Sequence, residues 1–516
     1  MELIQKNIHM DRVSAEALSQ FTLEDDVNIP DSKPDVDSLS LEKGMVVIDE
    51  LKCLNDSVTV KGRMQYSVLY HTKEDGGRLV SLEGYIPFEE KINLQGANPS
   101  DITMAEGKVE DLSVGMINSR KLGVQSLITM QVWTEELYDE EAPIGFAGAD
   151  GVEYRQVMMN IAQIAISKND IFRIREEITL PAGYANIFQI LWNDVALGDV
   201  EFRAMEEKIM LQGDIHLFVL YEGEGEERPV RSFETTVPFD GSLECHGCAE
   251  GMIPDIYYRV GQPELTVRPD LDGEERVIGV EMAMDIPVRI YEEEELGILS
   301  DMYGITKEFS TISHRANLRR LLSRVTGKTK VNDRIRIVGD HPSILQLLHS
   351  EATVLMEAQQ AVQSGILLRG SLNVKVMYIT GDDEQPYASV TEQFPYEYTL
   401  EVPGVTQEDC GRVRIQVEQL QVTMLDGEEM DVKAVLSFDT TVFKNIPMDL
   451  IGRVEETELD SARLNSLPGM IIYMVKAGDN LWNIGKRYYV PVEAIRQMNG
   501  LESDELRVGQ KLLIVV

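Results

Sequence analysis

Three stretches of this chain obey one spacing rule. In Gly62…Tyr70…Pro87-Phe88, Gly213…Tyr221…Pro238-Phe239 and Gly370…Tyr378…Pro395-Tyr396, tyrosine follows glycine by eight residues and proline follows tyrosine by seventeen. The glycines stand 151 and 157 residues apart, so the repeated unit is a domain and not a solenoid turn. The register reaches upstream to Pro34, Ala185 and Pro342, each 28 residues before its glycine. Before these, Ile29-Pro30 matches Leu180-Pro181, with Ile337-Val338 a weaker third.

The segments that open at Pro34, Ala185 and Pro342 read as an extended arm and one short helix, followed by strands. The strands announce themselves by period-two alternation: Met64, Tyr66, Val68 and Tyr70 in the first unit, Leu372, Val374, Val376 and Tyr378 in the third. Asn55-Asp56, Asp272-Gly273 and Asp426-Gly427 are turn dipeptides between runs. A glycine inside each strand predicts a bulge or a close backbone approach. The repeated tyrosines read as core residues, and each Pro-Phe or Pro-Tyr pair as a strand entry.

Charge narrows the partners. Against 48 Lys and Arg stand 88 Asp and Glu, a net charge of −40 in 516 residues. Such a surface repels phosphate backbones and anionic lipid, so no nucleic acid and no direct membrane insertion is expected. No run approaches the ~20 apolar residues of a membrane helix, and Met1–Arg12 lacks the pattern of a secretory leader. Four cysteines in so long a chain make no disulfide framework, and the cytosol is the expected compartment.

Composition changes after Leu459-Asp460. The segment Val475-Lys476-Ala477-Gly478-Asp479-Asn480-Leu481-Trp482, then Asn499-Gly500-Leu501, then Gly509-Gln510-Lys511-Leu512-Leu513-Ile514, reads as a βααβ unit. Asp479 suits a helix N-cap, Pro491 a second helix start and Asn499-Gly500 its end. Trp482, Ile484, Ile495, Leu501 and Leu513 are the expected core of this small unit. These motifs resemble the LysM domain over its whole length. The resemblance implies a shallow groove for N-acetylglucosamine polymers such as peptidoglycan, lined by Gly478, Asp479, Asn480, Leu481, Met498, Asn499, Gly500 and Leu501. Asn480 stands where the family usually has Thr, Gly485 where it usually has Ala, and the end lacks the common Pro.

The combination of acidic β-rich units carrying Pro-Asp-Val, Gly…Val-Leu-Tyr and Ile-Pro-Phe with one terminal LysM module resembles the SPOCS-domain spore-coat proteins. The implied fold is mainly β and multidomain: three related β-rich units over 1–145, 146–308 and 309–460, then a small α+β LysM domain over 468–516. The implied function is that of a non-enzymatic coat-assembly adaptor, recruited from the mother-cell cytoplasm to the forespore surface. Its implied partners are the coat's basement-layer morphogenetic ATPase and other coat proteins. A peptidoglycan-binding wall protein is the alternative.

Other leads are weak. Cys245-His246-Gly247-Cys248 is an incomplete ligand set and reads as a plain loop. Gly327-Lys328-Thr329 lacks the first glycine of a P-loop, since Leu322 occupies it. No His-Glu-x-x-His or Gly-x-Ser-x-Gly pattern occurs, so no catalytic residue, metal or cofactor is assigned. The carboxylate-free stretch 309–332, with Arg315, Arg319, Arg320 and Arg324, reads as a short amphipathic helix. It is expected to serve as an internal connector to acidic neighbours or as a docking patch.

Overall fold

The computed structural model describes residues 1–72, 78–225, 228–337, 342–382, 385–409, 411–459 and 468–515. The first repeat comprises β1 (Glu2–Asn28), β2 (Val36–Leu54), β3 (Ser57–Thr72), β4 (Leu79–Asn93), β5 (Ile102–Asn118) and β6 (Lys121–Ala147). They form two antiparallel sheets, β2-β3-β4 and β1-β6-β5, closed over one core that includes Val58, Met64, Tyr66, Ile128 and Met130.

The second repeat follows the same plan with β7 (Val152–Thr179), β8 (Ile187–Met205), β9 (Lys208–Gly223), β10 (Val230–Glu244) and β14 (Glu275–Gly304). In place of one strand beside β14 it has three short ones, β11 (Ile253–Ile256), β12 (Arg259–Val260) and β13 (Glu264–Pro269). The third repeat has β15 (Lys307–Arg336), β16 (Ile344–Val362), β17 (Gly365–Thr380), β18 (Tyr387–Glu401), β19 (Arg414–Met424) and β20 (Glu429–Glu458). Its two sheets are β16-β17-β18 and β15-β20-β19.

The spacing rule now has a physical content. Gly62, Gly213 and Gly370 lie directly across from Phe88, Phe239 and Tyr396 on the neighbouring strand. The aromatic ring covers the glycine: a Cβ there would approach the ring atoms of Phe88 to 2.8 Å, those of Phe239 to 2.9 Å and the Tyr396 hydroxyl to 2.7 Å. A bulge on the other neighbour, at Ile48/Glu50, Gly198/Glu201 and Met356/Ala358, falls opposite each glycine. Tyr70, Tyr221 and Tyr378 are fully buried. The Tyr70 hydroxyl donates to the Pro34 carbonyl at 3.0 Å and Tyr221 to that of Ala185 at 3.1 Å, which ties these two upstream positions to their tyrosines, while the buried Tyr378 hydroxyl has no partner among the described residues.

Two expectations for these repeated segments fail. The segments after Pro34, Ala185 and Pro342 hold no helix; they begin β2, β8 and β16. Each carries two successive bulges, Val36/Ser38 and Leu39/Leu41 in the first, with counterparts at Ile187/Gln189, Ile190/Trp192, Ile344/Gln346 and Leu347/His349. Every bulge inserts a residue, so the inward positions recur at intervals near three and imitate a helical turn. The repeated prolines are not strand entries either. Pro87, Pro238 and Pro395 lie within β4, β10 and β18, which are edge strands where a missing N–H breaks no ladder.

The stretch 309–332 is likewise no helix. It lies in β15, thirty residues long and paired along its length with β20. Arg315 is cross-strand partner to Asp449 and ion-pairs with it at 3.1 Å, and Lys328 binds Glu418. Arg319 reaches Asp11 of the first repeat at 3.1 Å. Exposed Arg320 and Arg324 lie on the same strand. Pairing with a carboxylate-rich partner strand supplies the neutralisation that the stretch lacks within itself.

The three long ribbons β1–β6, β7–β14 and β15–β20 converge. Ile8 and Ala316, Met10, Ile161 and Leu318, and Ala142, Ile298 and Leu450 occupy matching register positions and share one apolar cluster. On the outer sheets, Leu41, Leu69, Trp192, Leu220 and Met377 form a second shared cluster. Beside it Lys43 ion-pairs with Asp194 and, at 3.5 Å, with Glu351, three residues at equivalent positions of β2, β8 and β16. Each repeat thus touches both others, and the unlike charges at one register position key their order.

Candidate functional site

The terminal module is β21 (Met470–Met474), α1 (Leu481–Tyr488), α2 (Val492–Met498) and β22 (Lys511–Val515), with β21 and β22 antiparallel. Its core is Tyr473, Val475, Leu481, Ile484, Val490, Ile495, Leu512 and Ile514. Leu512 and Ile514, not the expected Leu513, face inward, as period two requires of β22. Leu501 packs against this core from its edge.

The caps are assigned by geometry. Asn480, not Asp479, is the N-cap of α1: its Oδ1 accepts the Asn483 N–H at 2.8 Å. Asp479 instead closes the preceding turn, accepting from the Lys476 N–H and the Tyr473 hydroxyl, each at 2.7 Å, which holds its carboxyl below the usual range. The residue that departs from the common Thr therefore keeps the capping chemistry. At the end of α2, Gly500 adopts φ 60° and Leu501 N–H bonds back to Arg496 O at 3.0 Å, closing the helix through the left-handed residue.

The eight positions that the LysM resemblance assigns to a groove divide into two kinds. Gly478, Asn480, Met498 and Gly500 are exposed. Leu481 is 1% exposed and belongs to the core. Asn499 is spent internally: its amide donates to Ile495 O and Leu513 O at 2.8 Å, and its Oδ1 accepts from Leu513 N–H at 2.6 Å. What these positions would offer a ligand is the Asn480 side chain and backbone at the two glycines, flanked by the apolar Met498.

Sequence reasoning placed Trp482 in the module's core, and the structure moves it out. On α1 the inward positions are Leu481, Ile484, Gly485 and Tyr488, a single helical stripe. Trp482 lies off that stripe and faces the second repeat. Its indole donates to Asp301 Oδ2 at 2.7 Å, and its ring meets Tyr303 edge-on at 4.9 Å. Lys486 reaches Asp301 Oδ1 at 2.5 Å, and the Tyr303 hydroxyl donates to Val490 O at 2.8 Å. Burial of Asp301 opposes its ionisation, but the bonds from Lys486 and Trp482 hold its carboxyl below the usual range. Gly485 makes this contact possible, because a Cβ there would meet the Tyr303 hydroxyl at 2.5 Å and Val490 O at 2.7 Å. The signal was the departure from the family's Ala.

Cys245 and Cys248 are each 1% exposed, and Cys248 N–H bonds to Cys245 O at 3.1 Å. Leu94 with Ala97 and Val402 with Val405 make the same turn in the other repeats. The thiols thus replace core aliphatics. Burial, with the neighbouring Cys248 adding to it, pushes the Cys245 thiol up to about 11. Among the described residues no group of His, Cys, Asp and Glu could hold a metal, and no helix is long and apolar enough to cross a membrane.

Fold and site together define a protein of three mutually packed β repeats carrying a docked LysM module. The SipL, SPOCS domain family matches residues 23–117, 186–267 and 343–425, about half of the chain, and the LysM domain family matches 473–515. The chain belongs to the SipL family of SPOCS-domain proteins. Over 40 residues, 8% of this chain and 12% of the relative, it is 52% identical to "Probable peptidoglycan endopeptidase LytE" of Bacillus subtilis (strain 168). Over 42 residues, 8% of this chain and 10% of the relative, it is 48% identical to "Probable N-acetylmuramidase" of Lactococcus lactis subsp. cremoris. The chain thus spans about a tenth of the length of these two curated relatives. No solved structure matches.

Proposed function

We propose that this SPOCS-family sporulation protein is a non-enzymatic adaptor of spore-coat assembly, working in the mother-cell cytoplasm and recruited to the forespore surface. Its LysM module binds the basement-layer morphogenetic ATPase of the coat, and its repeats contact further coat proteins. The observation that carries this reading is the orientation of the module. The back of α1 is fixed on Asp301 and Tyr303, while Gly478, Asn480, Met498 and Gly500 stay exposed. A rigidly presented groove joined to three acidic repeats combines several modest contacts on one chain, which raises their effective concentration. Calorimetric titration of the full chain with the purified ATPase tests it. Met498→Asp is expected to weaken binding about tenfold or more with an unchanged melting temperature, and equal affinity would overturn the assignment.

The likeness of the module to that of a protein named as a peptidoglycan endopeptidase favours a second reading, binding of N-acetylglucosamine polymers. Co-sedimentation of the full chain with insoluble peptidoglycan tests this reading, and loss of binding in Met498→Asp would place the glycan in the same groove.

A further inference from the structure

Where the three repeats meet lies a cavity of about 770 Å³. Each long ribbon presents matching register positions to it: Trp133, Arg289 and Thr441 at one level, Glu135, Tyr291 and Phe443 at the next. The space is therefore a product of the threefold-like closure and exists only in the assembled chain. Its size falls in the range of sites for small organic ligands, about 300–1,000 Å³.

The lining is polar, and three of its groups are unfinished. The Arg412 guanidinium stacks over the Trp133 ring at 3.3 Å from the ring centre, with no carboxylate partner among the described residues. Arg289 gives one nitrogen to Asp11 and Glu135, at 3.1 and 2.5 Å, while its Nε is buried and without a partner. Asp255 is an exposed side chain on the cavity wall, and no hydrogen bond or ion pair engages its carboxylate among the described residues. Burial lowers the pKa of Arg412, so its charge is held at a cost that a bound anion would relieve, and the surrounding protein raises that of the Asp255 carboxyl on the cavity wall. Other lining cations are satisfied: Arg414 by Asp439, Arg259 by Asp285 and Lys168 by Asp170.

We propose that this cavity is a binding site for a small hydroxylated anion, a carboxylate or phosphate ester, whose acidic group pairs with Arg412 and whose hydroxyls donate to Asp255. Phe443 supplies an apolar wall on which a sugar-like ring packs, while Trp133, 1% exposed, backs the Arg412 guanidinium. The guanidinium, planar and pre-stacked on the indole, suits a forked oxyanion better than a point cation would.

Glucuronate, glucose 6-phosphate and citrate are the probes, titrated into the purified full chain with tryptophan emission and melting temperature as readouts. At least one is expected to change the emission and raise the melting temperature. Binding by glucuronate or citrate alone identifies a carboxylate ligand, and by glucose 6-phosphate alone a phosphate ester. Arg412→Gln and, independently, Asp255→Asn are expected to weaken that binding about tenfold or more, the worth of one charge-assisted contact. Both variants should melt no lower than the parent without ligand. Failure of all three probes, or equal binding by both variants, would overturn the proposal.

Discussion

The Tyr303 hydroxyl donates to the Val490 carbonyl at 2.8 Å, and this bond seats the LysM module on the end of the second repeat's longest strand. Along that end the strand alternates. Asp301 and Tyr303 face the module, while Met302 between them enters the apolar cluster of Leu299, Phe309 and Ile451. The two faces of this strand end therefore fix the packing of the ribbons and the placement of the module.

Gly485→Ala tests that seating. In an isolated helix the change would help by about 1 kcal/mol, but here the new methyl collides with the Tyr303 hydroxyl and Val490 O. The module is expected to stay folded and to leave its seat, enlarging the radius of gyration measured by small-angle scattering. An unchanged radius would show that the contact adapts.

His349 predicts a pH dependence. Burial alone would lower its pKa, but hydrogen bonds to Asp194 and Glu234, each at 3.2 Å, raise it to about 9. The ring of Phe218 stacks on it at 4.1 Å, and Lys43 binds the same Asp194. Because the folded pKa exceeds the ordinary 6.5, its stabilisation is complete below that value and is lost as pH rises through about 9. The melting temperature is expected to fall between pH 7 and about 9.5. In His349→Gln this fall should shrink, as scanning calorimetry across the range would show. Asp194, whose pKa is depressed, keeps its contribution until strongly acid pH.

The aromatic cover on the repeat glycines should be costly to disturb. Gly370→Ala forces a methyl against the Leu355 carbonyl and the Tyr396 hydroxyl. A loss of about 2 kcal/mol is expected from overpacking. A denaturant midpoint equal to the parent's would refute the close-approach account.

Cys245 and Cys248 act as core aliphatics. Replacing them with Leu and Ala, the residues of the first repeat's Leu94 and Ala97, should leave the melting temperature within a few degrees. In the folded parent both thiols should resist iodoacetamide, because they are buried and that of Cys245 stays protonated at neutral pH. Rapid labelling read by mass spectrometry would contradict this.

Periodicity found the strands because most of them alternate cleanly, and the spacing rule announced three related units. It misread β2, β8 and β16 as beginning with helix because paired bulges shift the inward positions to intervals near three. The arginines of β15 were read as a helix for a different reason. Their neutralising partners, Asp449 and Asp11, are far away in sequence and become neighbours only through the fold. In the module, motif likeness named eight positions but could not tell which of their side chains are exposed. The inward turn of Asn499 depends on Leu513, fourteen residues on. The cavity was invisible for the strongest reason: Trp133, Arg289 and Thr441 share a position only when three ribbons meet.

The adaptor account rests most directly on localisation in sporulating cells, comparing the fluorescently tagged full chain with one ending at Leu459. A shell around the forespore is expected for the full chain, and diffuse mother-cell signal for the shortened one. A shell that persists without the LysM module would contradict the account and move the anchor to the repeats.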